Sequence, residues 1–403
     1  MTNGLVSGPG SGPFVRDCPG ARDPAALPSR PVTHPTQPTQ PTQPEPAAGS
    51  RYHLPDDPTG AEHAVLVLGR APGPQLHLLD VGATVHRLRV TGGDGERRDV
   101  ALSHPTLAER RRGDAYLGAT IGRYANRIAG ARFELDGREV LLGAVDRGHS
   151  LHGGPEGFDR ARWQVLEHGT HHAVLTLHSP EGDQGFPGAV DVQARFEVDD
   201  AALALTLTAT STADTVLNLT QHVYLTLAGA GAGTVDDHVL TVPASRWVEV
   251  DATGIPAEGP LPVPAEADLR AGERLGDVVR RGHPQVIDAH GIDHTYVLDA
   301  EPDGDGLREH ARLADPASRT VLTLRSDQAG VQVYTGNFLD GTLHGLAPDG
   351  GTTLLRQGDG LCLEPGAFPD SPHHLGEPGW TDVRLAAGES YAWRARWEFA
   401  ALD

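Results

Sequence analysis

A period of two constrains this chain more than any other feature. Leu203, Leu205 and Leu207 alternate with Ala204, Thr206 and Thr208, the pattern of a half-buried strand. Short strand-like runs recur at Ala173 to Leu177, Val321 to Arg325, Val331 to Tyr334, Leu361 to Glu364 and Tyr391 to Trp397, with Gly and Pro punctuating the intervals. Phe133-Glu134-Leu135 and Arg138-Glu139-Val140 flank Asp136-Gly137, which predicts a two-residue hairpin. Sustained helical periodicity is scarce, and Leu269 to Arg281 predicts one short helix. Many short strands with turn-rich connections predict an all-β sandwich or barrel.

The first 60 residues depart from that pattern. Pro35-Thr36-Gln37 is repeated as Pro38-Thr39-Gln40 and Pro41-Thr42-Gln43, followed by Pro44 and Pro46. Such a segment has too little apolar surface to offset its ordering entropy. The expectation is a disordered Pro/Gly/Thr/Gln-rich tail over 1–60 and one folded all-β domain over 61–403.

Composition narrows the partners. The formal net charge of -21 argues against nucleic acid, which demands a basic face, and against an anionic membrane surface. A small neutral ligand fits better. The two cysteines, Cys18 and Cys362, do not make a disulfide framework. No apolar run reaches the ~18 residues of a membrane span, and the opening MTNGLVSGPGSGPF lacks the basic and apolar regions of a secretory signal. A cytoplasmic location is expected, as a monomer or homodimer.

Strand phase brings out a few reactive residues. If Leu219 to Leu227 is extended, Leu219, Gln221, Val223, Leu225 and Leu227 face one way and Thr220, His222, Tyr224 and Thr226 the other. The second face carries an imidazole among three hydroxyls. In Leu361-Cys362-Leu363-Glu364 the leucines share a side, and Glu364 points with Cys362 to the other. Pro365-Gly366 is expected to end that strand. Phase alone leaves Glu364 as either a base at a cavity rim or a surface carboxylate at an edge. Gln332 and Tyr334 oppose Val331 and Val333, and the Gln amide offers donor and acceptor to a hydroxyl. His152 precedes Gly153-Gly154, where the backbone can turn sharply.

Other chemistries lack their residues. His168, His171, His172 and His178 do not form a zinc pattern, since neighbours on a strand face opposite ways. His373-His374 fails likewise, and no metal or other cofactor is expected. Thr91 to Glu96 lacks the Lys-Ser/Thr pair of a phosphate loop and reads as a turn between strands. No Gly-x-Ser-x-Gly elbow is present.

Taken together, six segments resemble the aldose 1-epimerase (galactose mutarotase) family, in the family's order over roughly residues 62 to 398 by motif reading. They are Gly118-Ala-Thr-Ile-Gly-Arg-Tyr-Ala-Asn-Arg-Ile128; His149-Ser-Leu-His-Gly-Gly154 with Gly157-Phe158-Asp159; Asn218-Leu-Thr-Gln-His-Val-Tyr224; Gly291-Ile292-Asp293-His294; Gly330-Val-Gln-Val-Tyr-Thr-Gly-Asn-Phe338; and Cys362-Leu363-Glu364 with Phe368-Pro369-Asp370. The resemblance implies a large twisted β-sandwich, the galactose mutarotase-like supersandwich, and interconversion of the α and β anomers of a free hexose such as galactose or glucose. It implies that His222 protonates the ring oxygen and that Glu364 takes the proton of the anomeric hydroxyl. It further implies a second site histidine in His152, with Asn126, Arg127, Asp293 and Gln332 holding sugar hydroxyls. A non-catalytic carbohydrate-binding module and a hexose-6-phosphate 1-epimerase are the alternatives on the same fold. The chain departs from the family at Gln221, Val223, Leu225-Thr226-Leu227 and Pro365-Gly366-Ala367.

The chemistry suits those groups. Opening a hemiacetal requires one proton delivered to the ring oxygen and one taken from the C1 hydroxyl, each transfer typically worth ~10²–10⁴ in rate. With ordinary values of ~4.3 for Glu and ~6.5 for His, Glu364 is expected ionised and His222 partly protonated, with Asp293 raising that fraction.

Overall fold

A computed structural model of the chain describes residues 45–348 and 350–402. The Pro-Thr-Gln repeat and Cys18 lie outside the described residues. Two large antiparallel sheets carry the body. The nine-stranded sheet runs in the order Gln164–His168, His172–Ser179, Val190–Val198, Ala202–Ser211, Ser390–Ala401, Thr320–Ser326, Arg308–Asp315, Val239–Thr241 and Glu273–Arg274. The six-stranded sheet runs Tyr224–Leu225, Leu361–Gly366, Gly330–Tyr334, Asp293–Val297, Arg246–Val248 and Leu261–Pro262. A third sheet of five strands, from Arg51–Tyr52 to Arg97–Asp99, adds a side wall.

Leu203, Leu205, Leu207, Trp393 and Trp397 of the nine-stranded sheet share one apolar core with Val331, Val333, Leu361 and Leu363 of the six-stranded sheet. Of the sandwich and the barrel that period two allows, this is the sandwich. In Val190–Val198 buried residues alternate with more exposed ones. In Gly330–Tyr334 and Leu361–Gly366 every residue is buried, because the face turned away from the core lines a cavity instead of bulk solvent.

The expected hairpin forms, with Leu135 opposite Arg138. Asp136 and Gly137 have φ of 53° and 73°, as a type I′ turn requires. The short helix expected within Leu269 to Arg281 forms over Leu275–Arg280, its start set by Gly272 at a left-handed φ of 81° and by Glu273–Arg274, which joins the sheet edge. Two expectations change. The strand Leu361–Gly366 continues through Pro365, which lies opposite Val331. Its pairing with Tyr224–Leu225 stops at Cys362, so Pro365 has a ladder neighbour on one flank alone, where a missing N–H is tolerated.

Lastly, the part of the 1–60 segment that is described, residues 45–60, belongs to the folded body. Arg51–Tyr52 pairs with Val65–Leu66, the Glu45 carboxylate meets Arg89 and Arg97 at 2.6 Å, and the Tyr52 hydroxyl lies 2.9 Å from His77 Nδ1. Ion pairing and burial hold residues that composition alone reads as solvated.

Candidate active site

The outer face of the six-stranded sheet and the loops above it enclose a cavity of about 540 Å³, within the range of small-molecule sites. Three adjacent strands furnish its floor. Glu364 sits opposite Gln332, and Asp293 opposite Tyr334. Gln332 Nε2 donates to Asp293 Oδ1 at 2.6 Å, and the Thr295 hydroxyl donates to Gln332 Oε1 at 2.5 Å. Those bonds orient the amide and leave one N–H free for a ligand.

His222 arrives from another ladder. Thr220–His222 pairs with Ala119–Ile121, whereas Tyr224–Leu225 pairs with Leu361–Cys362. The chain changes partner at Val223, yet the phase holds: His222 and Tyr224 face the cavity, and Val223 is in the core. His222 Nε2 lies 3.5 Å from Glu364 Oε1, with side chains 5% and 6% exposed. Its other nitrogen, Nδ1, lies 3.5 Å from Cys362 Sγ. Glu364 is therefore a buried group on an inner strand, and its reading as a surface carboxylate falls.

Loops complete the wall. The Asn126 backbone N–H donates to His152 Nδ1 at 3.1 Å, so His152 presents Nε2–H as a donor. Asn126 Oδ1 accepts from the Arg127 N–H at 2.9 Å. Arg127 Nε donates to Asp146 Oδ2 at 2.7 Å, and Arg147 reaches the same oxygen at 3.0 Å. His152 is followed by Gly153 at φ 90°, where a Cβ would collide with the Gly122 carbonyl. Glycine is needed there to seat the imidazole. Tyr116 stands edge-on to His152, centroids 4.5 Å apart, and 5.8 Å from His222. Phe338, 55% exposed, stacks on Tyr334 at the mouth.

Burial governs the charges. It pushes Glu364 well above the usual carboxylate range; the Asp293 charge adds to the rise, and Arg127 opposes it. Burial lowers His222 to about 4. His152 is driven well below the usual imidazole value by burial, then by His222 and Arg127. Burial thus works against the charged form of each group, an ionised Glu364 and a protonated His222 alike. Both shifts run against the expectation of an ionised Glu364 beside a partly protonated His222. Asp293, itself raised by burial, bears on Glu364; it does not raise His222.

His222, Cys362 and Glu364 are the one group of three metal-binding side chains found among the described residues, their donor atoms within 4.8 Å of one another. The thiol and the carboxylate approach opposite ring nitrogens, so one tetrahedral ion cannot use both edges without the ring turning. His172 and His178 each pair with a separate carboxylate, Glu167 and Asp191.

The sequence profile of the aldose 1-epimerase family matches residues 65–397. The chain is 35% identical to the aldose 1-epimerase of Escherichia coli K12 over 353 residues, 85% of this chain and 97% of that protein. It is 35% identical to human galactose mutarotase over 323 residues, 79% of this chain and 88% of that one. Among solved structures, the aldose epimerase homologue of C. elegans superposes with a TM-score of 0.75 at 25% identity, covering 85% of this chain and all of the other. The chain belongs to the aldose 1-epimerase family. As a member it is an isomerase that interconverts the α and β anomers of an aldose.

All seven residues singled out in the sequence, namely Asn126, Arg127, His152, His222, Asp293, Gln332 and Glu364, line the one cavity. Sequence reasoning missed Tyr116, Asp146 and Arg147. Asp146-Arg147 sits just before the matched His149–Gly154 segment, a signal that was available. The aldose 1-epimerase departures lie off the cavity lining. Gln221, for instance, accepts from the Thr120 hydroxyl and donates to the Gly118 carbonyl. Among the described residues no helix is long and apolar enough to cross a membrane.

Proposed function

We propose that the substrate is a free neutral hexose such as galactose or glucose, that His222 is the acid and Glu364 the base, and that Asn126, Arg127, His152, Asp293 and Gln332 hold the hydroxyls. The observation that carries this reading is the 3.5 Å approach of His222 Nε2 to Glu364 Oε1 on a buried cavity floor. In the reactive tautomer the shared proton is on His222 Nε2 and Glu364 is a carboxylate, a form that Arg127 favours. Glu364 removes the C1 hydroxyl proton as His222 delivers its own to the ring oxygen, and the C1–ring oxygen bond breaks. The aldehyde turns about C1–C2, and reverse transfers close the other face. The pair returns to a single proton, so each turnover leaves the enzyme unchanged. Arg127, fixed by Asp146, presents a planar fork to adjacent hydroxyls.

Two alternatives fit less well. A phosphorylated hexose would meet Asp114, Asp146, Asp293, Asp340 and Glu364 against Arg127 and Arg147, both already held by Asp146. A binding module has no use for a proton-sharing pair at the floor. The setting we infer is the cytoplasm, with the protein a monomer or homodimer.

Polarimetry on freshly dissolved α-D-galactose and α-D-glucose tests the assignment. Glu364→Gln and His222→Ala are each expected to lower kcat by about 10²–10⁴. Full rate in both variants would overturn the assignment of roles.

A further inference from the structure

The two proton carriers belong to different ladders, and the backbone does not fix their spacing. Pairing between the His222 chain and the Glu364 chain ends at Cys362, two residues before Glu364. Beyond it, side chains make the link. Thr220 is 2% exposed and shares a strand phase with His222. Its Oγ1 donates to the Pro365 carbonyl at 2.9 Å, on the residue that follows Glu364. The same carbonyl accepts from Trp393 Nε1 at 2.9 Å. Proline fixes its own φ and restricts the preceding residue to extended backbone, so a bond that anchors Pro365 also narrows where the Glu364 backbone can lie. Asn218, two residues before Thr220, accepts from the Ala367 N–H at 3.0 Å and donates to the Ala125 carbonyl at 3.1 Å.

We propose that Thr220 is a positioning residue for the proton transfer: its hydroxyl, clamped on the Pro365 carbonyl, holds Glu364 at transfer distance from His222. The inference rests on the acid–base reading of His222 and Glu364. Thr220 does not line the cavity. It sets the separation across which one proton is shared, and misplacement on the scale of an ångström costs far more in rate than in binding.

Thr220→Val keeps the shape and removes the donor, and Trp393 still satisfies the carbonyl. By polarimetry on α-D-galactose its kcat should fall between about tenfold and about a hundredfold with KM within about twofold. Thr220→Ser, which keeps the donor, should retain kcat within about threefold of wild type. Combined with Glu364→Gln, Thr220→Val should cause no further loss of the residual rate, since the group it positions is gone. Thermal melting is read alongside, and Thr220→Ala supplies the same comparison if Thr220→Val does not fold. Wild-type kcat in the donor-less variants, an equal loss in Thr220→Ser, or full additivity with Glu364→Gln would overturn the clamp. If Glu364→Gln and His222→Ala are themselves fully active, the acid–base reading falls first; if they are inactive and Thr220→Val is not impaired, only the clamp falls.

Discussion

At the scale of single residues, burial and proximity oppose each other at His222 and Glu364. Burial removes charge from each group, and their 3.5 Å separation lets one proton serve both. The activity profile follows with its sign. As pH falls toward about 4, His222 takes up a second proton for the pair, and the base is lost. As pH rises through the elevated Glu364 value, the pair loses its proton and the acid disappears. The expected kcat/KM profile is a broad bell with its acid limb near about 4; an acid limb at the ordinary histidine value of ~6.5 would contradict the shared-proton picture. The identities of His222 and Glu364 were legible in the sequence, but their ionisation was not, because desolvation depends on which strands pack above them.

At the scale of elements, two glycines separate local strain from strain at the site. Gly137 in the hairpin has φ 73°, and an added Cβ would meet nothing within 4 Å. Gly137→Ala is expected to cost about 1–2 kcal/mol from backbone strain, read as a lower Tm with kcat unchanged. Gly153→Ala adds a collision with the Gly122 carbonyl right beside His152, so KM and kcat should both suffer. The hairpin was readable because Asp-Gly encodes its own turn. That the Leu361–Gly366 strand passes through Pro365 was not, since tolerance of proline depends on whether a neighbouring strand lies on the flank lacking the N–H.

At the scale of the molecule, the last strand closes the first sheet. Ser390–Ala401 pairs with Ala202–Ser211 on one side and Thr320–Ser326 on the other, and it buries Trp393 and Trp397 in the core. Such distant pairing is topologically demanding and slows folding. Losing a buried tryptophan typically costs about 3–5 kcal/mol, and two of them rival the ~5–15 kcal/mol total of an ordinary domain. A chain stopped at Glu389 is therefore expected to give no cooperative melt by calorimetry. A cooperative transition in that truncation would show that the sheet closes without its central strand.

Sequence alone determined the strand-rich class, the hairpin turn, the face on which His222 and Tyr224 lie, and the seven residues that share the cavity. Those are local properties, carried by side-chain period and by ordered motifs. Tertiary structure decided what depends on distant partners. It fixed the start of the folded body before residue 60, the burial that disfavours charge on His222 and Glu364, and the seating of Arg127 by Asp146. It also joined two separate ladders through Thr220 and Pro365, 145 residues apart in the chain, a distance across which no local pattern can register.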